Sequence, residues 1–284
     1  SILDYMPYER DRKISVNLSV ASIEYNDIEI DLIDTPGYLD FQGDMVSAVS
    51  ISDSAIIVVD GTSGVEFTTE KVMELAGERG IPRLFFVTKC GKEDADFFRV
   101  YDEIKSEVGD GVVPLAIPIK EGEEIKGVYD LLGEKAFSSE GEMDVPESFK
   151  EKAREYRGYL IESLAEVDME LMEKFIEEKE ISQDDIIKGL NQGILEGHVF
   201  PVVAGDALSI MGVELLLSYI VDVFPEPGEA SLPEGIKSID EPAVAFVFKT
   251  KFEPHVGELN FIRVWSGKIT AGTSLLNNTS GAEE

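Results

Sequence analysis

Residues 28–44 have the sequence IEIDLIDTPGYLDFQGD, and this stretch decides the predicted fold class. Apolar and polar side chains alternate up to residue 33, which is typical of a half-buried strand. The strand then ends in Asp34, and Pro36 and Gly37 supply a tight turn. Two interpretations remain open from these residues alone. The segment is either a plain strand-to-helix corner or one edge of a phosphate site, in which the carboxylate reaches Mg²⁺ and the glycine N–H meets a phosphate oxygen.

The segments around this stretch predict an open α/β sheet. Residues 14–25 also alternate, and together with residues 27–33 they form a predicted hairpin. Short apolar runs without alternation, typical of strands buried on both faces, occupy residues 55–59, 84–87 and 200–203. Helical patterns lie between or after them, at residues 41–52, 68–79, 94–108 and 213–223. This order predicts a mixed sheet with helices on both faces.

Two blocks depart from this alternation. Residues 120–197 are rich in Glu and carry long helical patterns, and the α/β pattern resumes at residue 200. We therefore expect an inserted α+β subdomain at about residues 110–200, within the usual boundary error, in a first domain of residues 1–224. The Pro/Gly-rich segment 225–240 predicts a linker. Three apolar segments then predict strands that begin a β-barrel in residues 241–284, namely residues 243–252, 257–267 and 272–281.

The composition excludes several classes of protein. The 284 residues contain 57 acidic and 25 basic side chains, a net charge of −32, so direct sequence-specific binding to nucleic acid is not expected. A single cysteine cannot build a disulfide framework. No apolar run reaches the ~18 residues that cross a bilayer, and the first residues lack the pattern of a signal or transit peptide. The default expectation is a cytoplasmic protein.

Two more strand ends carry polar or glycine segments. Thr88 and Lys89 directly follow the apolar run 84–87, and the segment 205–208, Gly-Asp-Ala-Leu, directly follows the run 200–203. Ligands of open α/β sheets bind at the carboxyl ends of the strands. We expect Asp34 to end a central strand at the same edge of the sheet, so that the three strand ends together have the layout of a nucleotide site.

At this point the sequence resembles a known family. DTPGYLDF, PRLFFVTK, AIPIKEGEEIKGVYDLL, AGDALSIMGVELLLSYIVDVFPEP and GELNFIRVWSGKITAG are similar to segments of elongation factor G, and most of all to its elongation-factor-G-like paralogues among the translational GTPases. The similarity covers essentially the whole chain, in family order, with the family's sequence truncated at both ends. It implies GTP or GDP with Mg²⁺ as ligands, ribosome-dependent GTP hydrolysis in a translocation-like step, and a monomer in the cytoplasm.

The resemblance also implies roles for individual residues. Ser15 and Asp34 correspond to the Mg²⁺ anchors, and the Gly37 amide to the sensor of the γ-phosphate. Tyr38 stands where elongation factor G has the histidine that positions the attacking water. A phenol titrates near pH ~10 and is a poorer proton partner at neutrality. The residues implied for binding the base are Thr88, Lys89, Gly205, Asp206, Ala207 and Leu208, with the Lys89 stem along the guanine face.

The sequence departs from the family pattern at positions that bind the base and at those that bind the phosphates. Gly91 replaces the aspartate that accepts hydrogen bonds from guanine, a loss of ~1.5–3 kcal/mol, and Asp206 replaces the customary serine of the third base loop. Asp206 is a candidate to take over from the missing carboxylate. The phosphate-binding pattern G-x-x-x-x-G-K-[ST] is absent from the 284 residues. We expect a fragment that lacks the family's first strand and phosphate loop and is impaired in nucleotide binding.

Three functions stay open from the sequence. The first is a GTPase whose acidic insertion faces the stalk proteins of the large ribosomal subunit. The second is a GTPase-shaped scaffold that binds the ribosome with little or no hydrolysis, which Tyr38 and Gly91 favour. The third, with the least support, is a different Mg²⁺-dependent phosphoryl enzyme that uses Asp34, Asp40 and Asp44. In each of them we expect residues 1–13 to be loosely held, because the family's switch segments are ordered by phosphate and Mg²⁺.

Overall fold

The computed structural model describes residues 2–122, 124–228, 232–253 and 255–284. It divides into two compact units, Ser1–Ala230 and Ser231–Glu284. The first unit holds a seven-stranded sheet, a separate two-stranded hairpin and the helices. The second holds one pair of strands.

The strands are short and follow the apolar runs of the sequence. The eleven strands named along the described part of the chain are β1 Ser19–Tyr25, β2 Ile28–Asp34, β3 Ala55–Asp60, β4 Arg83–Thr88, β5 Val112–Glu121, β6 Glu124–Asp130, β7 Lys135–Ser138, β8 Gly141–Met143, β9 Phe200–Ala204, β10 Val244–Glu253 and β11 Gly257–Ser266. The large sheet has the order β3-β4-β9-β5-β6-β7-β8. Its first four strands are parallel, and β6, β7 and β8 continue it in antiparallel fashion.

The helices fall between the strands. They are α1 Pro7–Arg12, α2 Gln42–Ile51, α3 Phe67–Glu78, α4 Phe97–Val108, α5 Lys150–Val167, α6 Met169–Ile176, α7 Gln183–Leu195 and α8 Val213–Val223. α3 contacts β3, while α4 and α5 contact β5. One hydrophobic core of the first unit runs from β4 and β9 through β5 and β6 to α5, α7 and α8. Every residue of β9 is buried, as expected for a central parallel strand covered on both faces.

The predicted fold class, a mixed α/β sheet with helices followed by further β structure, is confirmed. The acidic block extends this sheet, because β6, β7 and β8 add to the edge of β5. The exact domain boundaries stay predictions.

Three details of the prediction are wrong. β1 and β2 form a sheet of their own, so Asp34 does not end a central strand of the large sheet. The third predicted barrel strand, residues 272–281, consists of turns with one isolated bridge between Leu276 and Glu283. Within residues 1–13, expected to be loose, α1 forms and Glu9 is buried.

Candidate functional site

Three neighbouring parallel strands end together at one edge of the large sheet. In the register, Asp60 at the end of β3 lies opposite Thr88 at the end of β4, and Val87 lies opposite Ala204 at the end of β9. The segments that follow are therefore neighbours in space although more than a hundred residues separate β4 from β9. This edge brings together all the residues predicted to bind the base.

Lys89 is held in one place by its backbone and by an ion pair. Its φ of 61° is in the left-handed region, which residues other than glycine rarely adopt. The ammonium group pairs with Asp60 Oδ2. Asp60 Oδ1 accepts hydrogen bonds from the N–H and the hydroxyl of Thr62, at 2.9 and 2.7 Å. Burial by itself raises the pKa of Asp60, but the Lys89 and Thr62 hydrogen bonds and the Lys89 charge outweigh it and hold that pKa well below its usual range.

Hydrogen bonds tie the loop after β4 to the loop after β9. Cys90 N–H donates to Gly205 O at 3.1 Å, and Gly205 N–H donates to Val87 O at 2.9 Å. The Thr88 hydroxyl accepts from Ala207 N–H at 3.4 Å. Gly205 has to be a glycine, because a Cβ there would lie 2.5 Å from the ring of Phe86. The two loops thus form one rigid corner of the site.

Asp206 is the most enclosed acid of this corner. Only 9 % of the residue is exposed, and its N–H donates to Met211 O at 2.9 Å, which closes the loop. Its Oδ1 accepts from Leu208 N–H at 2.9 Å, whereas the Leu208 side chain is 90 % exposed. Its Oδ2 lies against Gly91, so closely that a Cβ on Gly91 would overlap it.

The two predicted metal anchors, Ser15 and Asp34, both interact with another acidic residue, Asp4. The Ser15 hydroxyl donates to Asp4 Oδ1 at 2.8 Å. Burial raises the pKa of Asp34, and the negative charges of Asp4 and Glu9 raise it further. In the described ranges, no group of three or more His, Cys, Asp or Glu side chains is arranged to hold a metal ion. A hydroxyl with one carboxylate nevertheless fits Mg²⁺, which keeps several waters and uses one or two protein carboxylates beside phosphate oxygens.

Gly37 and Tyr38 lie on the exposed turn after β2. Tyr38 is 58 % exposed, and its carbonyl accepts from Phe41 N–H at 3.0 Å, which opens the short 3₁₀ helix Leu39–Phe41. A Cβ on Gly37 would meet no atom within 4 Å, so the surrounding protein does not require glycine there. The roles predicted for both residues stay predictions. Asp44, part of the proposed acidic trio, accepts from Leu18 N–H at 2.6 Å and thus anchors the hairpin.

Asp60 is the residue of this site that the sequence analysis missed. It ends an apolar run, AIIVVD, in the same way that Asp34 ends the strand IEIDLID. That parallel was available in the sequence. It was overlooked because the pairing with Lys89, 29 residues away, depends on the order of the strands in the sheet.

The comparison with known proteins identifies the domain. Residues 1–226 match the family model of the elongation factor Tu GTP binding domain. The chain belongs to this family of translational GTPases. Over 98 % of its length it is also similar to a protein from Thermus thermophilus with a known crystal structure, at a TM-score of 0.88 and 28 % sequence identity. The match covers 41 % of the Thermus chain, so the present chain spans less than half the length of that relative.

The recognition made from the sequence is therefore confirmed at the level of the family. In this translational GTPase domain, the corner formed by the loops after β4 and β9 contains the residues that the resemblance assigned to the base. None of the helices in the described ranges is both long and apolar enough to span a membrane.

Proposed function

We propose that the intact protein binds GTP and hydrolyses it in a ribosome-dependent, translocation-like step of translation. The observation that carries this proposal is the rigid corner at the edge of the parallel sheet. There Thr88, Lys89 and the segment 205–208 meet through the Cys90–Gly205 and Thr88–Ala207 hydrogen bonds. Such an edge is where nucleotides bind in open α/β sheets.

In this proposal, the chain's own residues bind and orient the nucleotide. Asp60 fixes the Lys89 side chain so that its methylene stem covers one face of the guanine. The loop after β9 presents backbone groups of Ala207 and Leu208 to the base. Because both loops are held by backbone hydrogen bonds, little conformational entropy is lost when the base binds.

At the phosphate end, Ser15 and Asp34 would hold Mg²⁺. The Ser15 hydroxyl and the Asp34 carboxylate would supply oxygen ligands, the kind that Mg²⁺ prefers. When bound, Mg²⁺ neutralises charge on the phosphate oxygens. The Gly37 N–H would donate to the γ-phosphate, and the exposed Tyr38 hydroxyl would hydrogen-bond the attacking water.

The proposal includes weak nucleotide binding by the 284-residue chain alone. No G-x-x-x-x-G-K-[ST] motif occurs in it, so its residues offer no backbone cradle for the α- and β-phosphates. We further propose a cytoplasmic, monomeric protein whose acidic insertion, which contains α5, α6 and α7, binds the stalk proteins of the large ribosomal subunit.

Nucleotide binding and hydrolysis by the intact protein test the proposal. We expect calorimetry to give a higher affinity for GTP than for ATP, and we expect phosphate release from GTP to rise when ribosomes are added. Equal affinities for the two nucleotides would refute the guanine assignment. GTP binding without any ribosome-stimulated release would refute the hydrolysis.

A second candidate function is a GTPase-shaped scaffold that binds the ribosome with little or no hydrolysis. Two observations favour it: Tyr38 in place of a histidine, and Gly91 in place of an acid. The same experiment separates the candidates, because a scaffold would co-sediment with ribosomes at an affinity that does not depend on GTP.

A further inference from the structure

Gly91 and Asp206 share one space in the corner between the loops after β4 and β9. A Cβ built on Gly91 would overlap Asp206 Oδ2 and would lie 3.3 Å from Ile125 Cγ2. The Asp206 carboxylate thus occupies the place where a side chain at position 91 would begin. Two acids at these positions would collide and would also repel each other.

The Asp206 carboxylate is anchored through only one of its oxygens. Oδ1 accepts from Leu208 N–H, and within the described ranges Oδ2 has no hydrogen-bond donor. An ionised carboxylate offers about four acceptor sites. Only 9 % of Asp206 is exposed, but Oδ2 is not completely enclosed by protein atoms, so a ligand in this corner can reach its open acceptor sites.

Guanine needs an acceptor of this kind. Its N1–H and its 2-amino group are adjacent donors, and a single carboxylate can accept from both. Neither Gly91 nor Thr88 carries a carboxylate. Asp206 belongs to the loop after β9, and its carboxylate reaches Gly91 in the loop after β4.

We propose that Asp206 selects guanine, with its carboxylate accepting from the N1–H and the 2-amino group, and that Gly91 leaves the space this carboxylate needs. The inference rests on the proposed function and names the specificity-determining residue of that site. It also explains why both positions depart from the family pattern together: the acid has moved from one loop to the other, and glycine at the vacated position prevents the collision.

The test compares GDP with xanthosine diphosphate on the intact protein, by calorimetry. In Asp206→Asn the amide oxygen keeps the Leu208 bond, and the NH₂ group replaces Oδ2. Xanthine has a carbonyl where guanine has the 2-amino group, so this NH₂ group suits xanthine. We expect GDP binding to weaken about ten- to a hundredfold and binding of xanthosine diphosphate to strengthen.

A second pair of variants guards against misfolding. Asp206→Ser should weaken GDP binding, and adding Gly91→Asp to that variant should restore it, since the acid then returns on the facing loop. The matched control is Asp168→Asn. Asp168 is also 9 % exposed, and its Oδ1 also accepts from the N–H two residues on, but it caps α6 in the acidic block.

The outcomes separate this inference from the proposed function. An intact protein that binds no guanine nucleotide overturns both. An intact protein whose GDP affinity is unchanged by Asp206→Asn, or is changed to the same extent by Asp168→Asn, overturns the role of Asp206 alone.

Discussion

At the scale of single residues, the surroundings of two aspartates shift their pKa values in opposite directions. Asp60 has a cation and two donors from Thr62 around it, which lower its pKa. Asp34 has burial and two acids around it, which raise its pKa. A lowered carboxyl pKa stabilises the fold at neutral pH, and a raised one destabilises it.

For Asp60 we predict that Asp60→Asn lowers the free energy of unfolding by about 1 kcal/mol at pH 7, the upper end for a partly exposed ion pair. The loss should be constant above the usual aspartate pKa of about 3.9 and should shrink as the pH falls below it, because the carboxyl of the unfolded wild-type chain then takes up a proton while that of the folded protein resists it. Urea denaturation between pH 7 and pH 2 measures this. Glu74→Gln, which removes the exposed Lys71–Glu74 pair, is the control and should cost less. A difference that is independent of pH would contradict the prediction.

For Asp34 we predict the opposite sign. Asp34→Asn should raise the free energy of unfolding at pH 7, because it removes a half-buried charge that Asp4 and Glu9 repel. The gain should be absent well below the usual aspartate pKa and should grow as the pH rises above it, since only then does the wild-type carboxyl ionise. The same denaturation series measures it, with Asp27→Asn at the exposed hairpin turn as the control. A loss of stability at pH 7 would show that Asp34 has a partner that offsets its charge.

At the scale of elements, one buried hydrogen bond connects α8 to the antiparallel half of the sheet. Tyr219 on α8 is 3 % exposed, and its hydroxyl lies 2.6 Å from Asp130 Oδ1 and 3.0 Å from Leu115 O. Burial raises the pKa of Asp130, and the Tyr219 hydrogen bond opposes that rise. Asp130 also accepts from Leu132 N–H at 2.9 Å, which shapes the turn after β6.

We predict that Tyr219→Phe destabilises the first unit by ~1–3 kcal/mol, the cost of a buried acceptor that loses its donor. The loss should be larger at pH 7 than at pH 4, because the charged form of Asp130 depends most on the hydroxyl. Chemical denaturation followed by far-UV circular dichroism measures it. Tyr159→Phe is the control, since Tyr159 is 44 % exposed and donates to Glu155 on its own helix. Equal losses in both variants would contradict the prediction.

At the scale of the whole molecule, the two units differ in the interactions that stabilise them. The first unit, Ser1–Ala230, has a seven-stranded sheet and an extended buried core. In the second unit, the described strands β10 and β11 pair only with each other, and they carry exposed apolar side chains such as Phe246 and Phe252. A two-stranded sheet is at best marginally stable in water.

We therefore predict that, in the 284-residue chain, backbone amides of β10 and β11 exchange with solvent hydrogen several orders of magnitude faster than those of β4 and β9. Exchange rates reflect the free energy of local opening, which is near zero for weakly supported elements and reaches the global value in core strands. Hydrogen–deuterium exchange read out by mass spectrometry measures this. Comparable protection in both sets of strands would show that the pair is stabilised beyond its own hydrogen bonds.

The regular elements of the first unit were accessible from the sequence because local patterns determine them. The helix at Val213–Val223 was predicted with the observed bounds, and the apolar runs of β3, β4 and β9 with errors of no more than one residue at either end. α1 was not predicted, because hydrogen bonds to residues outside the helix stabilise it. The buried Glu9 carboxylate accepts from the N–H groups of Val16 and Asn17, both at 3.0 Å, and a charged run gives no sign of that.

What the sequence by itself determined is the fold class, the family and the polar segments that follow β4 and β9, because periodicity, turn residues and motif order are properties of the chain. What only the tertiary structure decided is which strand ends meet. It separated the hairpin of Asp34 from the large sheet, brought Asp60 to Lys89, and put the Asp206 carboxylate into the space beside Gly91. The physical reason is that register and close packing bring together residues far apart in the chain, and no local pattern encodes such pairs.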